Sequence, residues 1–184
     1  SWGQFIAGDY QIFTYDTIVP SFIANTIKAA WFGVSKYSTD ANNSSAIANA
    51  IEAADDSTVD FKGVKLSVSP TVSISDIDSV VIKNLNINFN CTGDAITVVN
   101  SVVKFVDCKI DSMTTDKDSQ ITMKDCEIKW DSTTYNLVLL GTNISINNCV
   151  FGSANGIWTG NLQLSSSSTK LSTETITFQG NTVI

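Results

Sequence analysis

Val103-Lys104-Phe105-Val106-Asp107-Cys108-Lys109-Ile110 is followed at a spacing of 18 residues by Ile121-Thr122-Met123-Lys124-Asp125-Cys126-Glu127-Ile128, and 23 residues on by Ile144-Ser145-Ile146-Asn147-Asn148-Cys149-Val150-Phe151. In each stretch, apolar residues hold the first and third positions, the period of a strand with one buried face. The fifth position is Asp or Asn, which accepts positive φ and bends a strand. The sixth and eighth are apolar again, so each stretch reads as two short strands joined by a one-residue corner. Outward from these three, the pattern extends to Val59–Leu66, Val80–Ile87 and Ile176–Val183, giving six copies. Their corners fall at Gly63, Asn84, Asp107, Asp125, Asn148 and Gly180, and Asn181 alone breaks the apolar sixth position.

Successive copies start 21, 23, 18, 23 and 32 residues apart, a solenoid spacing whose variation falls in the connections. Those connections hold candidate third strands at Thr71–Ile74, Ala95–Val98 and Asn136–Leu139. The expected fold is an all-β parallel β-helix of about six coils over residues 58–184, with residues 1–57 as an aromatic-rich leader. No connection carries a helical period long enough for a βαβ crossover. An antiparallel sandwich would leave the constant place of the corner unexplained.

Cys108, Cys126 and Cys149 share the sixth position of three successive copies and should stack inside the coil. Strands about 4.8 Å apart bring such residues within disulfide range, but parallel Cβ vectors make the required torsion hard to reach. The stack reads as buried reduced thiols rather than a metal or redox site. Cys91 lies outside the repeat and has no assigned role.

Composition narrows the function. Eleven lysines, no arginine and 18 Asp and Glu give a net charge of −7, which disfavours nucleic acid and anionic membranes as partners. No apolar run approaches the roughly 20 residues that span a bilayer, so no membrane insertion is expected. The chain has no histidine, which rules out Ser/His/Asp and Cys/His nucleophile systems within it and any histidine-bearing metal site. No metal or cofactor is expected.

In the leader, Trp2, Phe5, Tyr10, Phe13, Tyr15, Phe22, Trp31 and Phe32 make a dense aromatic segment that either caps the first coil or docks on another subunit. Ile47, Ala50, Ile51 and Ala54 share one face of a helix whose N-cap is Asn43 or Ser44. The stretch from Phe32 through the Asp-containing turn, the Ala/Ile helix and the strand ending at Gly63 resembles the start of pectate-lyase-like β-helices in phage tailspikes and tail fibres. It departs from that family by lacking a Gly-Asp-Gly turn before the helix. The resemblance implies a right-handed single-stranded parallel β-helix in a homotrimeric virion appendage. It also implies contact with other tail or baseplate proteins and binding, often cleavage, of bacterial surface polysaccharide.

The family's catalytic Arg or His has no counterpart in this chain. A carboxylate pair would have to serve instead, and Asp94, Asp111, Asp116, Asp118, Asp131 and Glu174 are undistinguished turn residues. The expectation is therefore a structural and receptor-binding segment, with a polysaccharide hydrolase and a secreted β-helical adhesin as alternatives. Trp130, Tyr135 and Trp158 are the candidate sugar-stacking residues, unless they cover core at coil corners. Lys62, Lys83 and Lys124 share the outward fourth position of their copies, a solvated surface or a basic stripe for an anionic polysaccharide. The last copy ends without a polar cap, so another subunit or further chain is expected to close it.

Overall fold

A computed structural model describes residues 8–9, 11–13, 26–62, 64–66, 72–87, 96–110, 112–128, 136–152, 161–166 and 175–183. The chain builds three sheets, and every strand pairing in them is parallel. The first sheet contains, in order, Ile27–Lys28, Ser57–Asp60, Val80–Lys83, Val102–Val106, Gln120–Lys124, Asn143–Asn147 and Thr175–Gln179. The second runs through Lys65–Leu66, Asn86–Ile87, Lys109–Ile110, Glu127–Ile128, Val150–Phe151 and Thr182–Val183. The third comprises Val72–Ser75, Ile96–Val99, Met113–Thr115, Asn136–Gly141 and Asn161–Ser166. The chain visits the first, second and third sheets in turn, then begins the next pass.

Register makes columns of like residues. Val80, Val103, Ile121 and Ile144 lie opposite one another, as do Ile82, Phe105, Met123 and Ile146, and all eight are buried. Burying such a side chain contributes roughly 1.5–3 kcal/mol, so these two columns form much of the core of the first sheet. Both continue into the last pass at Ile176 and Phe178, which are 45% and 46% exposed.

Corners two to six occur where the spacing predicts them. Asn84, Asp107, Asp125, Asn148 and Gly180 have φ of 57°, 54°, 55°, 54° and 66°. The Asp107 and Asp125 N–H groups each donate to the next pass, to the Lys124 and Asn147 carbonyls, both at 3.1 Å. A left-handed residue thus turns the chain while its backbone stays paired. The first corner needs correction. Val59 pairs with Ile82, not with Val80, and the Phe61 N–H donates to the Lys83 carbonyl as Asn84 does to Val106. Lys62 is left-handed there, with φ 49°, and Gly63, the expected corner, lies outside the described residues. Lys65 pairs with Asn86, so this corner carries two residues more than the next. Phe61 misleads because it is apolar, buried and two residues after Val59.

The third sheet uses the three connections expected, and adds Met113–Thr115 and Asn161–Ser166, which the sequence reading missed. Val72, Ile96, Met113 and Leu137 form one of its buried columns.

At the first pass, the helix spans Asp40–Glu52 and starts earlier than expected, because Thr39 is the N-cap and accepts the Asn42 N–H at 3.3 Å. Asn43 lies inside the helix, fully buried. Its Oδ1 accepts the Ser35 N–H at 3.1 Å and its Nδ2 donates to the Ser35 carbonyl at 2.9 Å, fastening the preceding loop. Ile47, Ala50, Ile51 and Ala54 are buried as one face. Within the leader, Ile27–Lys28 pairs with the first strand of the repeat, and Trp31 and Phe32 are buried beside it. Trp2, Phe5, Tyr10, Tyr15 and Phe22 lie outside the described residues.

The corners give a direct test. Asp125 is exposed, so Asp125→Val should cost about 1–2 kcal/mol through the left-handed backbone alone, whereas Asp125→Gly should cost less than about 0.5 kcal/mol. Urea-denaturation midpoints decide this. Equal losses in both variants would place the cost in the carboxylate instead.

Candidate functional site

Alternation along each strand sends every second residue of the first sheet outward, and register stacks those residues across passes. Val81, Lys104, Thr122 and Ser145 form one outward column. Val102, Gln120, Asn143 and Thr175 form the next, with Ser79 beside them. Between the columns runs a shallow groove of about 240 Å³. More of its lining is apolar than polar, from Val80, Val81, Val102, Val103 and Ile144; hydroxyl and amide groups are set among these, and Lys104 is the sole charged side chain among the described lining residues. Closely set hydroxyls and amides suit a polyhydroxylated ligand, and small apolar patches suit the C–H face of a sugar ring.

The three aromatic residues expected to stack on sugar, Trp130, Tyr135 and Trp158, lie outside the described residues, as does Cys91. The lysine stripe does not form. Lys62 leaves the column with the shifted first copy, and Val106 separates Lys83 from Lys124. The Lys62 ammonium instead bonds Asp9 at 2.8 Å, and Asp9 also pairs with Lys28 at 3.0 Å. Lys62 and then Lys28 hold the Asp9 carboxyl below its usual range, and Asp9 raises Lys62 in return. The groove was missed because no one segment contains it. Lys104, Gln120 and Asn143 become neighbours only once the passes are in register.

Of the candidate carboxylates, Asp94, Asp111, Asp131 and Glu174 lie outside the described residues. Asp116 closes a corner: its carboxylate accepts the Asn100 N–H at 3.1–3.2 Å and the Ser119 hydroxyl. Asp118 is exposed, 4.0 Å from Lys117. Neither lines the groove.

Cys108, Cys126 and Cys149 are buried free thiols stacked as expected. Cys108 donates to the Val106 and Ile82 carbonyls at 3.3 and 3.4 Å, and Cys126 to those of Lys124 and Phe105 at 3.3 and 3.6 Å. Asn181 ends the stack, its Nδ2 donating to the Ile146 carbonyl and its Oδ1 accepting the Cys149 N–H, both at 2.8 Å. Hydrogen bonding to Cys108, reinforced by burial, pushes the Cys126 thiol up to about 12, and contact with Cys126 plus burial raises Cys149. The Cys126–Cys108 bond works the other way on Cys108 and lowers it. The row therefore titrates as a unit that keeps most of its protons at alkaline pH. Among the described residues no group of three or more His, Cys, Asp or Glu is placed to hold a metal ion, and no helix is long and apolar enough to cross a membrane.

No protein-family model, curated protein or solved structure matches the chain.

The thiol row predicts a pH dependence. Cys126, raised in the folded chain from an ordinary 9.0 to about 12, contributes stability that is complete below pH 9 and is lost as pH rises towards 12. Each pH unit in that window should remove up to about 1.4 kcal/mol for a fully shifted thiol. Urea titrations from pH 8 to 11 should show a steeper fall for the native sequence than for Cys126→Ala. Parallel slopes would overturn the assignment.

Proposed function

We propose that the chain is a right-handed single-stranded parallel β-helix, the structural and receptor-binding segment of a phage tailspike or tail fibre. Its three parallel sheets, visited in turn, support the helix. Right-handed crossovers are the strong rule for parallel connections. The groove along the first sheet is the observation that carries the binding reading: it sets polar side chains among apolar ones on passes about 4.8 Å apart, with hydroxyls and amides at Ser79, Gln120, Thr122, Asn143, Ser145 and Thr175 and the Lys104 ammonium between them. An extended polysaccharide lying across the strands would meet Ser79, then Lys104, then Gln120 and Thr122, then Asn143 and Ser145, with Val81 and Val102 as apolar contacts between them. Binding without cleavage is favoured over hydrolysis, since the described residues of the groove lining include no Asp or Glu and Asp116 is engaged at a corner. The protein would work as a homotrimer in the virion, joined to other tail or baseplate proteins, with bacterial surface polysaccharide as its target.

Capsule and lipopolysaccharide preparations tested by affinity electrophoresis should retard the protein without generating new reducing ends. Thr122→Trp, which fills the groove from an outward position, should weaken that retention by at least about tenfold while leaving the fold intact. Release of reducing ends sinks the non-cleaving reading, and undiminished retention of the Trp variant moves the site off this sheet. Native mass spectrometry should give a trimer, and a monomer would remove the proposed assembly.

A further inference from the structure

The geometry points to a carboxylate-bearing polysaccharide as the ligand of this groove, selected by Lys104; the inference rests on the groove being the glycan site. Most described lysines are engaged: Lys28 and Lys62 with Asp9, Lys109 with Glu127, and Lys36 over the Tyr37 ring. Lys117 and Lys124 stand 4.0 and 3.9 Å from Asp118 and Asp125. Lys104 has no such partner among the described residues, although the chain carries 18 acidic side chains against 11 lysines. Its column neighbours, Val81 and Thr122, offer no charge.

Protection of a sheet edge does not explain this lysine. Its strand is internal, paired with Val80–Lys83 on one side and Gln120–Lys124 on the other. A neutral sugar crossing the groove would strip water from the ammonium and return only ordinary hydrogen bonds. A uronate carboxylate would return a charge-assisted one, while Thr122, Gln120 and Asn143 meet its hydroxyls. Among the described residues of the lining there is no carboxylate to repel such a ligand. Lys104 then sets which glycan is accepted, and the uncharged groups supply affinity common to all.

Polygalacturonate, alginate and hyaluronate, each beside its carboxyl-reduced form, would be titrated against the native protein, Lys104→Gln and Lys83→Gln. Lys83 is exposed and, like Lys104, unpaired among the described residues, but it does not line the groove. At least one acidic polymer should bind the native protein roughly tenfold more tightly than its reduced form. Lys104→Gln should bring the acidic form down to the affinity of the reduced one, and Lys83→Gln should keep the preference. Equal binding of acidic and reduced forms, or a preference that survives Lys104→Gln, overturns the inference. So does a preference lost equally in Lys83→Gln, since net charge alone would then account for it. Retention of neutral polysaccharides only, abolished by Thr122→Trp, overturns acid selection but leaves the groove as a glycan site. If no polysaccharide is retained, both fall.

Discussion

The constraint on which everything else depends is that no pass of this chain can pair its own backbone. Strands find their hydrogen-bond partners one pass before and one pass after, and the end strand of each sheet has one such partner among the described residues. Strands of the second sheet are two residues long, far too short to persist alone. They hold because two longer strands in the same pass fix their register, and a slip of one residue would turn every core side chain outward. The corners follow from this. A bend that consumes one left-handed residue keeps both flanking strands in phase, and Asn and Asp tolerate that conformation at less cost than other residues with a Cβ.

The same constraint explains the cysteines. The position after a left-handed corner faces inward beside carbonyls at the end of the preceding strand, where a purely apolar side chain leaves them without a side-chain donor. A thiol is small enough for the core and still donates weakly to those carbonyls. Asn181, the irregular sixth position, donates to the Ile146 carbonyl, the register equivalent of the Phe105 carbonyl that Cys126 reaches. The exception in the repeat thus meets the same need with a stronger donor.

Much of this was legible because repetition amplifies weak signals. Copies two to six sit in the register their spacing predicts, and the buried helix face was read correctly. What failed were features that only packing defines. Phe61 imitated a strand residue although its backbone had entered the corner, and Lys62, which is left-handed there, carries no compositional sign of it. Met113–Thr115 is three residues long, too short for alternation to stand out. The helix began earlier because Thr39 competes as a cap with Asn43, whose amide is committed to the loop at Ser35.

The groove belongs to another kind of information. Among the described residues the internal strands of the first sheet are paired on both sides and the core columns take their inward side chains, so the fold asks little of the outward residues there. Any strand-compatible surface residue would serve there. The acidic side chains illustrate this: Asp107, Asp125 and Asp116 are spent on corners, where geometry demands them. On the free face, hydroxyls, amides and valine methyls gather around one lysine, and no carboxylate is among the described lining residues. A composition that the architecture does not require, at a place where the architecture repeats every pass, is where a repeating polymer would leave its mark on the sequence.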